Sequence, residues 1–138
     1  MNIKILDDKV SVSAQIALAD IDELARRGYR TLICNRPDGE DAGQPAFEEL
    51  AAAARAAGME AVFQPVTSAT MGVEPARQFA EAVAKSDGPV FAYCRTGTRC
   101  TMLWTISGVM AGKPKEELRE AAARAGYDMT NLLQSLPG

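Results

Sequence analysis

Apolar and polar residues alternate through IKILDDKVSVSAQI on either side of Asp7-Asp8, the period-two pattern of two short strands joined by a turn. The next run, DIDELARRG, shifts to helical spacing. Asp20 with Glu23 three residues on has the form of a capping box, and Arg26, Arg27 and Gly28 are end signals. YRTLICN is short, apolar and partly β-branched, so it predicts a strand, and RPDGEDAGQ after it predicts a polar loop. The cycle then repeats. Pro45 suits a first helical position before the Ala-rich AFEELAAAARAAG, and MEAVFQPV is strand-like. The loop TSATMG leads through Pro75 into the helical ARQFAEAVAKS, and GPVFAYC is a strand with both faces apolar, as in a buried parallel sheet. TRCTMLWTISGVMAG and PKEELREAAARAG are two more helices, the second with Pro114 at its start, and MTNLLQSL closes the chain.

Strands alternating with helices imply right-handed βαβ units: an α/β fold of three layers, with a mainly parallel central sheet and helices on both faces. At 138 residues the chain suits one domain over residues 1–138, large enough for a core without disulfide or metal staples. No internal repeat or linker interrupts it.

Composition narrows the chemistry. A net charge of -3 gives no case for nucleic-acid binding, and no apolar run approaches the roughly 20 residues needed to span a bilayer. With no basic-apolar leader pattern at the N-terminus, the expectation is a cytoplasmic protein without membrane attachment, whose partner is a small anionic or phosphorylated substrate. Three cysteines in such a chain argue against a disulfide framework. Histidine is absent altogether, which excludes Ser-His-Asp triads, Cys-His dyads and His-containing zinc sites. A nucleophile here must be activated by cations, dipoles or backbone amides.

Cys94 falls where this topology places ligands, at the carboxyl end of a buried strand before a turn into a helix. Arg95, Thr96, Gly97 and Thr98 form the turn, with Gly97 where the backbone must approach a ligand or take positive φ. Successive amides in such a turn make a concave anion site that the helix dipole strengthens. A thiol at its centre should have a pKa in the range of about 3.5 to 7.5. Arg99, at the helix start, is placed to clamp two oxygens of a tetrahedral anion. Arg95 has no evident structural task in the turn and reads as a cation facing substrate. No metal or cofactor is called for.

YCRTGTR following FA, with NRPDGE upstream, resembles the bacterial protein-tyrosine-phosphatase-like domain of the beta-lactamase-hydrolase-like group, which is also grouped with candidate sulfurtransferases. The resemblance runs from SAQI through RPDGE to the helix after Arg99. It implies a cysteine-phosphatase-like fold, with Cys94 as nucleophile and Arg99 as the anion-binding arginine. Three departures accompany it. Only four residues separate Cys94 from Arg99, whereas the ordinary phosphatase signature has five; the shorter loop is the length found in rhodanese-type sulfurtransferases. Cys100 occupies the place of the Ser or Thr whose hydroxyl helps the thiolate leave, although Thr101 follows. The loop that usually carries a general acid reads QPVTSATMGVE, whose one carboxylate, Glu74, is read as a helix-start charge. The acid would then come from Asp38, Glu40 or Asp41 in the loop after TLICN, with Asp38 the residue chosen. RPDGE as a solvent-facing turn is the competing reading.

The other two thiols admit a redox role. Cys34, near the end of its strand, and Cys100, just inside the helix, are each candidates to trap an oxidised Cys94 as a disulfide; inert packing is the alternative. Met102, Leu103, Trp104, Ile106, Val109 and Met110 read as core. The leading functional expectation is a hydrolase acting on phosphoesters through a phosphocysteine, with Cys94, Arg99 and Asp38 catalytic and Arg95, Thr96, Gly97, Thr98 and Cys100 binding substrate. The alternatives are a sulfurtransferase working through a Cys94 persulfide and a non-catalytic oxyanion-binding module.

Overall fold

Four parallel strands and one antiparallel edge strand build the sheet in the computed structural model, which describes residues 1–138. The turn at Asp7-Asp8 joins β1 (Lys4–Ile5) to β2 (Val10–Ser13), and the Asp7 carboxylate holds it closed by accepting the Lys9 and Val10 N–H groups. β3 (Thr31–Cys34), β4 (Glu60–Phe63) and β5 (Val90–Tyr93) follow, in the spatial order β1-β2-β5-β3-β4. Only the β1–β2 pair is antiparallel. β5 therefore runs at the middle of the sheet, where every residue of VFAY is buried, as its two-sided apolar pattern requires.

Helices cover both faces. α1 (Ile21–Arg26) and α2 (Phe47–Ala56) pack Ile21, Leu24, Phe47 and Leu50 onto Leu32, Cys34, Phe91 and Tyr93. The opposite face takes α3 (Val73–Lys85), α4 (Thr98–Met110), α5 (Lys115–Arg124) and α6 (Thr130–Ser135), whose Phe79, Leu103, Trp104, Leu118 and Leu133 meet Val12, Ile33, Val90 and Ala92. This is the three-layer α/β arrangement that the alternation of strands and helices predicts. No helix is long and apolar enough to cross a membrane.

Helix starts depart from expectation in detail. Asp20 does not cap α1; it lies in helical conformation at the end of a 3-10 turn (Leu18–Asp20), and its carboxylate accepts the Ala17 N–H at 2.8 Å. Glu23 bonds forward to Arg27 instead, so the expected capping box belongs to a turn three residues earlier and lacks its Glu23 half. Pro45 lies two residues before α2, and α3 begins two residues before Pro75, whose missing N–H is harmless in a first turn. Glu74 is the helix-start charge expected, paired with Arg77. Along α4, Met110 is exposed rather than core, while Thr101 and Thr105 are buried. Their hydroxyls donate to the carbonyls one turn back, Gly97 at 2.9 Å and Thr101 at 2.8 Å, so the burial leaves no donor orphaned.

Candidate active site at the carboxyl end of the sheet

The end of β5 delivers Cys94 into the centre of the molecule: the residue is fully buried, one position beyond the last strand residue. Gly97 stands at φ 89°, the left-handed region, and supplies the bend that lets α4 begin at Thr98. A Cβ there would lie 2.1 Å from the Tyr127 hydroxyl, so close packing as well as conformation demands glycine. The bend turns the loop amides inward, and the Gly97 N–H donates to Cys94 Sγ at 3.1 Å.

The Cys94 pKa is lowered to about 6. The Cys100 thiol contributes most, as a hydrogen-bond donor; the Cys100, Thr96 and Gly97 amides add to it, and together they outweigh burial, which acts the other way. Cys100 itself is driven well above the usual thiol value by complete burial and by its neighbour. It remains protonated and can donate. The residue after Arg99 is thus a buried, protonated thiol whose presence lowers the Cys94 pKa.

Arg99 reaches back across the loop opening. Its two terminal nitrogens hold both oxygens of Glu40 at 2.9 and 2.8 Å, and Nη1 also donates to the Val66 carbonyl at 2.9 Å. Of the five guanidinium donors, Nε–H and one Nη2 hydrogen stay free of these bonds. That side-on edge is the one able to grip an oxyanion in a bidentate way. Beside it opens a cleft of about 440 Å³ lined by Glu40, Thr67, Ser68, Met71, Arg99 and Met102. A larger groove of about 540 Å³ runs between β4 and α3, past Glu60, Phe63, Gln78 and Lys85, and takes in none of the loop residues.

The NRPDGE segment is a turn whose Asp38, Gly39 and Glu40 are exposed, as the solvent-facing reading has it, and it also braces this arginine through Glu40. Asn35 ties the segment to the sheet, its N–H donating to the Tyr93 carbonyl and its amide to that of Gln64, both at 2.9 Å. Arg36 is buried and spends its guanidinium on Glu40 at 2.8 Å, Asp41 at 2.7 Å and the Gln15 side chain at 3.0 Å. Glu40, gripped by Arg99 first and by Arg36 as well, has its pKa lowered to about 2. It is ionised at neutral pH and cannot serve as an acid there. The Asp38 carboxylate is engaged elsewhere: Oδ1 accepts the Phe47 N–H at 2.9 Å, at the first turn of α2, so the residue expected to supply a proton acts in this structure as a helix cap from nine residues upstream. Asp38→Ala is expected to lower stability by about 1 kcal/mol, as loss of a cap does, which denaturant unfolding would measure.

The remaining expected residues divide. Arg95 is two-thirds exposed, its Nε 3.9 Å from Asp41, and it faces solvent. Thr96 and Thr98 are exposed on the outer side of the loop and join hydroxyl to hydroxyl at 3.0 Å. Cys34 does not meet Cys94. Its side chain points into the α2 layer, where Sγ donates to the Arg36 carbonyl at 3.2 Å, while Cys94 and Cys100 lie together on the other face. Burial raises the Cys34 pKa, and the residue packs as a small apolar group. Of the two resolving thiols expected, only Cys100 adjoins Cys94. Tyr127 was not foreseen. It comes from the turn between α5 and α6, and its hydroxyl donates to the Thr96 carbonyl at 3.0 Å.

Comparison with known proteins agrees with this architecture. The profile of the phosphatase-like domain of beta-lactamase hydrolase-like proteins matches residues 2–111. The beta-lactamase hydrolase-like protein of Xylella fastidiosa (strain Temecula1) is 36% identical over 130 residues, covering 94% of this chain and 30% of that protein. The chain thus spans about 30% of the length of the curated relatives it matches. Among solved structures, nma1982 of Neisseria meningitidis, described as a candidate phosphatase, is 36% identical with a TM-score of 0.87, over 97% of this chain and 95% of its own. Tk-PTP in its active form, at 19% identity and a TM-score of 0.67 over 98% of both chains, shares the fold. With the profile matching residues 2–111 and a solved relative 36% identical over nearly its whole length, this chain belongs to the phosphatase-like domain family of the beta-lactamase hydrolase-like proteins.

Proposed function

We propose that the domain is a cysteine-dependent phosphatase in which Cys94 attacks phosphoesters. The observation that carries the reading is a buried sulfur that accepts the Gly97 N–H, with its pKa lowered to about 6, five residues before an arginine whose Nε edge is free of hydrogen bonds within the protein. The Cys94 sulfur attacks phosphorus, the bond from phosphorus to the ester oxygen breaks, and that oxygen leaves with its electron pair. Water then attacks the phosphocysteine and the electron pair of the P–S bond returns to sulfur, which the Cys100 thiol stabilises. Arg99 and the amides bear the charge of the equatorial oxygens in both steps. Since Glu40 is locked as an anion and Asp38 is bound to α2, the leaving oxygen departs without an acid from those residues. Aryl phosphates, whose oxygen leaves as a stable anion, are the favoured class.

One observation favours a second reading. With Glu40 held as an anion, Asp38 bonded to α2 and only four residues in the loop, the site also suits transfer of sulfane sulfur. The thiolate would attack the outer sulfur of thiosulfate, the S–S bond would break, and sulfite would depart with its electron pair, needing no proton. Offered aryl phosphate and thiosulfate in separate reactions, the reduced protein is expected to release the phenol at a rate that rises with pH through about 6, once the substrate's own ionisation is accounted for. The sign follows from the thiolate: below that pH Cys94 holds its proton. No phenol release together with a one-sulfur mass gain on Cys94 would replace hydrolysis by sulfur transfer. Neither product, with an oxyanion still bound, would make the domain a binding module.

A further inference from the structure

Tyr127 lies beyond residue 111, where the family match ends, yet it touches the centre of the anion loop. Its hydroxyl donates to the Thr96 carbonyl at 3.0 Å, and the Gly97 N–H donates to Cys94 Sγ at 3.1 Å. That carbonyl and that N–H are the two poles of one peptide group. In a trans peptide they point in opposite directions, so whatever fixes the carbonyl also aims the N–H. All peptides of the chain are trans. A single flip of the Thr96–Gly97 peptide would turn the N–H away from the sulfur and present the carbonyl oxygen to it, replacing a stabilising donor with a repelling dipole. Glycine in the left-handed region is the residue least able to resist such a flip by itself. The phenol is held in place from behind: the space a Gly97 side chain would need is filled by the Tyr127 ring and hydroxyl.

Resting on the reading of Cys94 as a working thiolate, we infer that Tyr127 is a positioning residue, which locks the Thr96–Gly97 peptide so that its N–H stays on Cys94. The phenol is well suited to this. Its own ionisation is pushed up, chiefly by burial and then by the Cys94 thiolate, so the hydroxyl stays a donor wherever the thiolate exists. Donation to the carbonyl also polarises the amide and strengthens its N–H toward sulfur, since linked hydrogen bonds reinforce one another.

The test compares wild type, Tyr127→Phe and Tyr127→Leu by following the thiolate's ultraviolet absorbance against pH, each referenced to the same protein with Cys94→Ser, and by alkylation with iodoacetamide across the same pH range. Tyr127→Phe keeps the ring and removes only the donor. The expected result is a Cys94 titration moved to higher pH than the wild-type value of about 6. Alkylation at that pH should fall about threefold, as loss of one neutral hydrogen bond, that to the Thr96 carbonyl, would give, with rates converging in alkali where both proteins are fully thiolate. Tyr127→Leu, which also empties the space behind Gly97, should show at least as large a shift. Coincident titration curves for wild type and Tyr127→Phe would overturn the inference, and so would an equal loss of reactivity at every pH, which would mark a purely structural role. A wild-type thiol that titrates in the ordinary range near 9 would instead sink the underlying reading of Cys94, a result distinct from either.

Discussion

Cys94→Ser is expected to abolish aryl-phosphate hydrolysis, lowering kcat/KM by about four orders of magnitude or more, while leaving fold and oxyanion binding intact. The substitution exchanges sulfur for oxygen in a fully buried position and adds no bulk, so packing against Ala92, Cys100 and Leu103 is kept. What is lost is the nucleophile's charge. With its pKa lowered to about 6, Cys94 is mostly anionic at neutral pH; a serine hydroxyl in the same ring of amides stays protonated, because the hydrogen bonds available are far too few to bring an alcohol into that range. Enzymes that use serine as nucleophile recruit a base, and this chain has no histidine to offer and a Glu40 already committed to two arginines. Arg99 and the loop N–H groups persist in the variant, so a phosphate or vanadate titration by calorimetry should still report binding. Residual turnover above about one hundredth of wild type would mean that another group attacks, or that water does so directly on a substrate merely held by the loop.

The loop at Cys94 is legible in sequence because its parts are contiguous. An apolar strand, a cysteine, a glycine and an arginine opening a helix lie within a dozen residues, and local conformation alone brings them to one point. The sheet is legible for the same reason, each strand being announced locally, β1 and β2 by alternation of apolar and polar residues and β3 and β5 by short apolar runs. Contacts that close over long chain distances are not. The grip of Glu40 on Arg99 spans fifty-nine residues, and sequence pattern offers Asp38, Glu40 and Asp41 as three equivalent carboxylates in one polar loop. Only the burial of Arg36 beneath them decides that two of the three are ion-pair partners, while the third turns to α2. Tyr127 enters from a helix ending, ARAGYD, that looks like the two others in the chain, ARRGY and ARAAG; a positive-φ glycine in the anion loop signals a close neighbour without saying which. Cys34 was placed at the correct end of the sheet, but side chains on adjacent parallel strands alternate between faces. Its register partner is Tyr93, not Cys94, and that single step carries its thiol into the opposite layer.

Arg99→Lys is expected to cost about 10² to 10³ in kcat/KM toward aryl phosphates, although it conserves charge. On the proposed reading Arg99 has two tasks at once, which use different edges of the guanidinium. The terminal nitrogens lock onto Glu40 and the Val66 carbonyl, which fixes the plane of the group and leaves the Nε edge free for the proposed oxyanion. An ammonium has no planar fork, so lysine can satisfy Glu40 or the substrate but not both, and its stem has no second anchor to hold it over the loop. The fall should therefore be in kcat more than in KM, because equatorial oxygens gain charge and move toward the fork during the reaction. Glu40 supplies an independent reading of the same loss. Its pKa of about 2, against an ordinary value of 4.5, depends on Arg99 first, so in wild type it contributes stability that is present above the ordinary value and lost as pH falls toward 2. With lysine the folded-state value moves back toward 4.5, so the variant is less stable at neutral pH and its stability declines less between pH 5 and 2. Denaturant unfolding at several pH values measures that slope. A flattened slope with kcat/KM still within about tenfold of wild type would show that the loop amides alone carry the transition-state charge, and that Arg99 serves Glu40 rather than the substrate.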